Sequence, residues 1–456
     1  MTKYDTVVLG QVVRPEGVIS EGAVAIKNGR IVAIGTGREA FDADEVIDCG
    51  SSFVLPGGID AHVHSLGEET EGYANSTMAA AAGGITTIVD HPLDLGGAPI
   101  GAQGLLAKKK RAEKEAYIDF GLLAGVTPAL IEKIEDCARV EVAGYKMLMH
   151  DTAPETMPML NDGELLEAFT RISKIGLFAG VHSENEGIVK YRIEQLRKAG
   201  KTHAKAHSQS RPEVSETEAV ARACELARAA NCRLHIFHVS VPRSFDIIDQ
   251  ARREFPGITA ETAPHYLVLN EDELDRRGAY AKINPPLRSE ECRLGLWERI
   301  RRGSVTFIAS DHAPHGHAGK ASPDIFENQS GGPGVETMMN VVFNEGVARG
   351  RISIEHFSML MATNPAKVMG LYPKKGIIAP GSDADLTIID PCAKWTIHGE
   401  DLHYPARWTP YEGLSVTGRV TMTMVRGKTV YRDGEILGTP GYGRFVPSAR
   451  KEALKQ

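Results

Sequence analysis

Between residues 53 and 315 the chain repeats one alternation eight times: a short apolar run, then a stretch with apolar residues at helical spacing and a charged outer face. The runs are FVLPGGIDAHVH, ITTIVDHP, DFGLLAGV, AGYKMLM, LFAGVHSE, CRLHIFHVS, GITAETAPH and VTFIASDHAP, separated by segments such as LLAKKKRAEKEAY and EVSETEAVARACELARAANC. A strand that reads as a continuous apolar run is buried on both faces, as parallel strands covered by their crossover helices are. Eight such units over roughly 260 residues match a (β/α)8 barrel. The connection between the fifth and sixth runs is long, about 50 residues against the usual 10–15-residue helix of such a unit, and predicts an extra helix. A doubly wound open sheet is disfavoured, because no GxGxxG fingerprint follows a strand.

The two ends of the chain behave differently. DTVVLG, GAVAIKNGR and IVAIGTG near the start, and KGIIAPGSDADLTIID and VTMTMVRGKTVYRDGEI near the finish, are short β-type runs broken by Gly, Asn and Asp. The expected architecture is therefore an α/β chain: a catalytic barrel over 55–372, with a smaller β-sandwich-like domain built jointly from 1–54 and 373–456. The balance of 52 basic against 59 acidic residues, a net charge of −7, argues against nucleic acid or an anionic membrane as partner. No 18-residue apolar run and no N-terminal apolar segment with a cleavage site is present, so the expected location is cytoplasmic. Six cysteines without a CxxC pair suit reduced thiols, not a disulfide framework or a zinc–thiolate site.

In a barrel the chemistry gathers at the C-terminal ends of the strands. Those ends carry His62 and His64 in the first run, Lys146 in the fourth and His182 in the fifth. The sixth carries His235 and His238, the seventh His265, and the eighth Asp311 and His312. Any one of these could be a hydrogen-bonded structural residue or a helix cap; six strands ending this way at one rim point instead to a hydrolytic metal site. Four imidazoles and a carboxylate exceed what a single open catalytic metal needs, which is typically three ligands. Two metals would use them all but need a bridging anion. Lys146 after reaction with CO2 is a carbamate with two oxygens, which makes a lysine in an apolar strand chemically intelligible. His235 is expected to be supporting or structural.

GGIDAHVH, GGITTIVD, GYKMLM, GVHSEN, RLHIFHVS, ETAPHYLVL, INPPLR, ASDHAPH and KGIIAPGSDADLTIID resemble, in order and spacing, the cyclic amidohydrolases: hydantoinases, dihydropyrimidinases, allantoinases and dihydroorotases. The resemblance runs from residue 5 to about residue 445. It implies that His62, His64 and Asp311 hold one divalent metal, His182 and His238 a second, and carbamylated Lys146 bridges them, with Zn2+ the expected ion. It implies that a metal-bound hydroxide attacks the ring amide, with Asp311 as the catalytic proton carrier. His265, Asn284, Ser330 and Gly331 would contact substrate, and His150 and Asp151 occupy the loop where dihydropyrimidinases and D-hydantoinases carry a tyrosine. A homotetramer is implied as well.

Departures from the family narrow the substrate. Dihydroorotases place an arginine two residues after the second histidine, where this chain has Leu66. The segment EGY (Glu71, Gly72, Tyr73) resembles allantoinases, whereas the short loop ending in NDGEL resembles L-hydantoinase-type enzymes. The first expectation is a hydantoinase-like enzyme acting on a small cyclic amide, with allantoinase and then dihydropyrimidinase behind it. A non-catalytic scaffold is disfavoured by the complete ligand set.

Overall fold

The computed structural model describes residues 3–65, 71–92, 101–152 and 154–449. Eight strands form the central sheet: β5 (Gly58–Val63), β6 (Ile85–Asp90), β7 (Asp119–Gly125), β8 (Gly144–Leu148), β9 (Phe178–His182), β10 (Arg233–Ile236), β11 (Ile258–Thr262) and β12 (Phe307–Ile308). Each pairs in parallel with its neighbour in sequence order. A parallel bridge between Val63 and His312 joins the first strand to the segment after the last, with the His64 amide donating to the His312 carbonyl at 2.7 Å. The expected barrel is present, and its strands are buried almost throughout. The long connection over 183–232 holds three helices, Glu186–Lys198, Ala206–Ser210 and Glu213–Ala229.

The two termini build one eight-stranded sheet. Its strands are β1 (Tyr4–Arg14), β2 (Gly17–Lys27), β3 (Arg30–Thr36), β4 (Ala43–Pro56), β13 (Leu386–Thr396), β14 (Ser415–Val425), β15 (Lys428–Arg432) and β16 (Glu435–Ile436). β4 lies centrally, parallel to β1 and antiparallel to β13. The first apolar run is thus divided between two sheets: Phe53–Pro56 ends β4, and the barrel begins at Gly58. Gly57 makes the crossing possible, because a Cβ there would lie 2.3 Å from Thr86 Oγ1. An ion cluster ties barrel to terminal sheet: the buried Lys375 ammonium reaches Asp119 (2.5 Å), Asp385 (2.6 Å) and Asp383 (3.0 Å). The segment HFSMLMATNPAKVMGL is mostly core, with Phe357, Leu360, Met361, Ala366 and Met369 all buried. All six cysteines are free.

Candidate metal centre and substrate cavity

Strand alternation puts Asp60, His62 and His64 on one side of β5. Asp60 Oδ1 accepts the amides of Ser310 (3.0 Å) and His62 (3.2 Å), which pins β5 against the end of β12. Burial pushes that carboxyl up to about 6. Two residues that aim into the same space have left-handed backbones, His238 at φ 38° and Asp311 at φ 51°. A non-glycine residue there costs on the order of 1–3 kcal/mol and persists only where the surroundings over-determine it.

Lys146 Nζ lies at the middle of the cluster, 2.9 Å from His62 Nε2, 3.1 Å from His91 Nδ1 and 3.4 Å from His64 Nε2. Asp311 Oδ1 is 3.1 Å from His62 Nε2 and 3.7 Å from His64 Nε2. His238 joins from β10, its ring centroid 5.3 Å from that of His62, and its Nε2 is 3.1 Å from His182 Nδ1. All of these side chains are buried. Burial holds the five imidazoles below the usual histidine range and pushes Lys146 down to about 8 and Asp311 up to about 7.

Whether these donors suit metal ions depends on which nitrogens are free. His62 Nδ1 faces Glu261 Oε1 at 2.5 Å, and His182 Nε2 faces Glu184 Oε2 at 2.8 Å. An ionised carboxylate only accepts, so with Glu184 and Glu261 ionised each ring keeps its hydrogen on that side and presents a bare nitrogen to the centre. Carboxylates backing histidines in this way are the usual support of metal-ligating imidazoles. Burial pushes Glu261 up to about 8, with the Lys146 ammonium opposing it, so positive charge gathered in the centre favours the ionised form. His64 Nδ1 and His238 Nδ1 are buried without a hydrogen-bond partner among the described residues. The donor set fits divalent cations.

A cavity of about 440 Å3 opens onto this centre. His64, Lys146, His182, His238 and Asp311 form one end, and His150, Asn284, Ser330 and Gly331 are among the remaining lining residues. Asn284 donates Nδ2–H to Thr152 Oγ1 (2.8 Å), while its buried Oδ1 has no partner among the described residues. Gly331, at φ 124°, faces Ala313, whose Cβ would lie 2.8 Å from an added Cβ. Its amide donates to the Lys282 carbonyl (3.0 Å) and its carbonyl accepts from Lys320 Nζ (2.7 Å). His150 is engaged on both nitrogens, by Glu186 and by the Arg211 guanidinium. His265 is buried beside the Tyr266 ring, at 4.1 Å between centroids, and is not among the cavity lining. Leu66 lies outside the described residues.

A model of the amidohydrolase family matches residues 53–430, and an allantoinase of Rubrobacter xylanophilus is 36% identical over 455 residues, 99% of each chain. The chain belongs to the amidohydrolase family. An L-hydantoinase of Paenarthrobacter aurescens is 34% identical over 443 residues, 96% of each chain. A solved structure described as L-hydantoinase (dihydropyrimidinase) from Arthrobacter aurescens superposes with a TM-score of 0.95 at 33% identity, covering 97% of this chain and 100% of that one.

Within this amidohydrolase, several functional neighbours escaped the reading of strand ends. His91 follows β6 directly, and the rule applied to β5 and β9 would have found it in ITTIVDHP. Glu184 follows His182 by two residues and Glu261 lies within β11, but neither spacing says that a carboxylate points at a histidine. Arg211 comes from the long connection and reaches Glu184 at 2.5 Å. His235 is engaged on both nitrogens, by Thr259 Oγ1 (2.8 Å) and by Glu261 Oε2 (3.1 Å). His312 turns away from the centre to Glu71 at 2.8 Å.

Proposed function

We propose that the protein opens the ring of a cyclic amide or ureide by metal-assisted hydrolysis, in the manner of a hydantoinase that converts a 5-substituted hydantoin to an N-carbamoyl amino acid. The observation that carries this reading is the convergence of His62, His64, His182, His238 and Asp311 around Lys146 at one end of the 440 Å3 cavity. His62, His64 and Asp311 would hold one zinc ion, His182 and His238 the second, and Lys146, as its carbamate, both. Bound there, the pair supplies a water acidified towards ~7 and an electrophile for the amide carbonyl.

The chain's own groups account for the remaining requirements. The Asp311 carboxylate, on the cavity wall and 3.1 Å from His62 Nε2, is placed to take up a proton and release it to a departing ring nitrogen. Asn284 Oδ1, without a partner among the described residues, is an acceptor for a ring N–H, and Ser330 lines the same cavity. Glu184 and Glu261 keep the imidazoles oriented. A homotetrameric, cytoplasmic enzyme is part of the same reading.

Allantoin hydrolysis is the second reading. Thr152, Thr156, Arg211, Asn328 and Gln329 give the outer cavity a hydrogen-bonding wall that a ureido substituent could use. The deciding experiment is turnover by zinc-loaded protein of L- and D-5-substituted hydantoins, dihydrouracil, allantoin, succinimide and dihydroorotate. Preference for a hydantoin is expected. Preference for allantoin replaces the first reading with the second, and inertness of fully loaded protein towards every cyclic amide overturns both.

A further inference from the structure

His91 stands against Lys146 without belonging to either histidine pair. Its ring is fully buried, and Nε2 lies 3.0 Å from the Ala61 carbonyl, which can only accept. The ring hydrogen is therefore on Nε2, and Nδ1 presents a bare lone pair 3.1 Å from Lys146 Nζ. Lys108 fixes the backbone beside it by donating Nζ–H to the His91 carbonyl at 2.9 Å. The Phe237 ring lies edge-on at 4.9 Å, closing off water from that side.

His62, His64 and His91 offer nitrogens within 4.8 Å of one another, so a third imidazole on the first metal is the obvious alternative. Ring orientation argues against it. His91 and His62 stack with centroids 3.7 Å apart and planes within 16°. Metal–nitrogen bonds of about 2.0–2.1 Å follow in-plane lone pairs, and lone pairs in two nearly parallel, offset planes do not meet on one ion. A hydrogen bond at about 3 Å tolerates the offset.

We propose that His91 is the positioning residue for the carbamate of Lys146, an inference that rests on the reading of Lys146 as carbamylated. In that modification the neutral Nζ amine attacks the carbon of CO2: an N–C bond forms, one C–O π bond opens to give the carboxylate, and one N–H bond breaks as its proton leaves to solvent. One hydrogen remains on Nζ. Because a carbamate is planar, the direction of that N–H sets where both oxygens point. His91 Nδ1 accepts it and turns the oxygens away from itself, towards the sides held by the two histidine pairs.

The test compares wild type with His91→Met, which fills the volume without an acceptor, and His91→Asn, whose Oδ1 returns an acceptor near the place of Nδ1. Each is stripped of metal and reloaded with zinc over a range of 13C-bicarbonate concentrations. The carbamate 13C resonance and bound zinc per chain are the readouts. His91→Met should need about tenfold or more extra bicarbonate for half-maximal carbamate and zinc, the smaller end of what losing a supporting partner costs a metal site; His91→Asn should restore most of it. Identical bicarbonate midpoints in wild type and His91→Met overturn the proposal. If His91→Met does not fold, equal midpoints for His91→Asn and His91→Gln, whose amide sits one bond further out, overturn it equally. Coupling of 113Cd to the His91 nitrogen in cadmium-loaded wild type would make His91 a ligand and also overturn it. A wild type with no carbamate resonance overturns the underlying reading of Lys146, a result visible before any variant is compared.

Discussion

Glu261 is the single residue whose substitution best separates metal support from folding. Its Oε1 faces His62 Nδ1 at 2.5 Å and the His238 amide at 3.3 Å, and its Oε2 faces His235 Nε2 at 3.1 Å. Glu261→Gln keeps the shape and one oxygen, so the His62 hydrogen bond can persist without its negative charge. The new amide nitrogen must then face His235 Nε2. That ring can exchange tautomers, because its Nδ1 partner is a hydroxyl, Thr259 Oγ1, which both donates and accepts. The fold should lose only about 1 kcal/mol, the net worth of an ordinary hydrogen bond. Metal affinity should lose more, because a neutral partner no longer makes His62 a stronger donor: tenfold to a hundredfold, or about 1.4–2.7 kcal/mol. Dialysis against graded chelator, with zinc per chain read by atomic absorption, gives the affinity change, and urea unfolding of the metal-free protein gives the fold change. An unchanged chelator midpoint would refute the reasoning, as would a stability loss as large as the affinity loss.

Lys146→Ala should retain wild-type circular dichroism but lose tight binding of at least one zinc, and normal metal content and turnover would remove Lys146 from the centre. Lys375→Met leaves Asp119, Asp383 and Asp385 buried around a missing ammonium, and should cost about 3–5 kcal/mol in urea unfolding; a loss under about 1 kcal/mol contradicts the ion cluster's role at the domain junction. Lys282 supplies a pH signature. Burial pushes it down from 10.5 to about 7, so between those values the unfolded chain holds a proton that the native state has lost. Stability from this group therefore rises with pH from about 7 to 10.5 and is penalised below 7, with a ceiling of about 5 kcal/mol before relaxation. Lys282→Met should flatten that rise in chelator-treated protein, and the same pH slope in variant and wild type would refute it.

The barrel was legible because its signal is redundant: eight apolar runs, each long enough to be buried on both faces, repeat one unit. Register along a strand was legible too, since two-residue alternation alone puts His62 and His64 on one side. What the sequence could not show is direction across the barrel. Glu261 sits in β11, 199 residues from His62, and nothing local to GITAETAPH distinguishes a carboxylate facing a neighbouring histidine from one facing a helix. The first run shows the opposite failure. FVLPGGIDAHVH reads as one strand because hydrophobicity is continuous through it, yet the backbone changes sheets at a residue whose only qualification is having no side chain.

His91 shows where these limits meet. It lies in the run ITTIVDHP and was available to the same strand-end rule that found His62 and His182; the strand itself ends at Asp90, and His91 is the first residue past it. Asp90 is itself fully engaged: Oδ1 accepts from the Ser65 amide at 3.0 Å, and Oδ2 pairs with Tyr73 (2.6 Å) and Lys108 (2.5 Å). The same carboxylate thus holds the end of the HxH segment on one side and the lysine that fixes the His91 carbonyl on the other. Two neighbouring residues on one strand end therefore divide the labour, Asp90 fixing backbone and His91 presenting a lone pair. Asking where each hydrogen must sit separates them, because the Ala61 carbonyl decides which nitrogen of His91 is bare before any metal is considered.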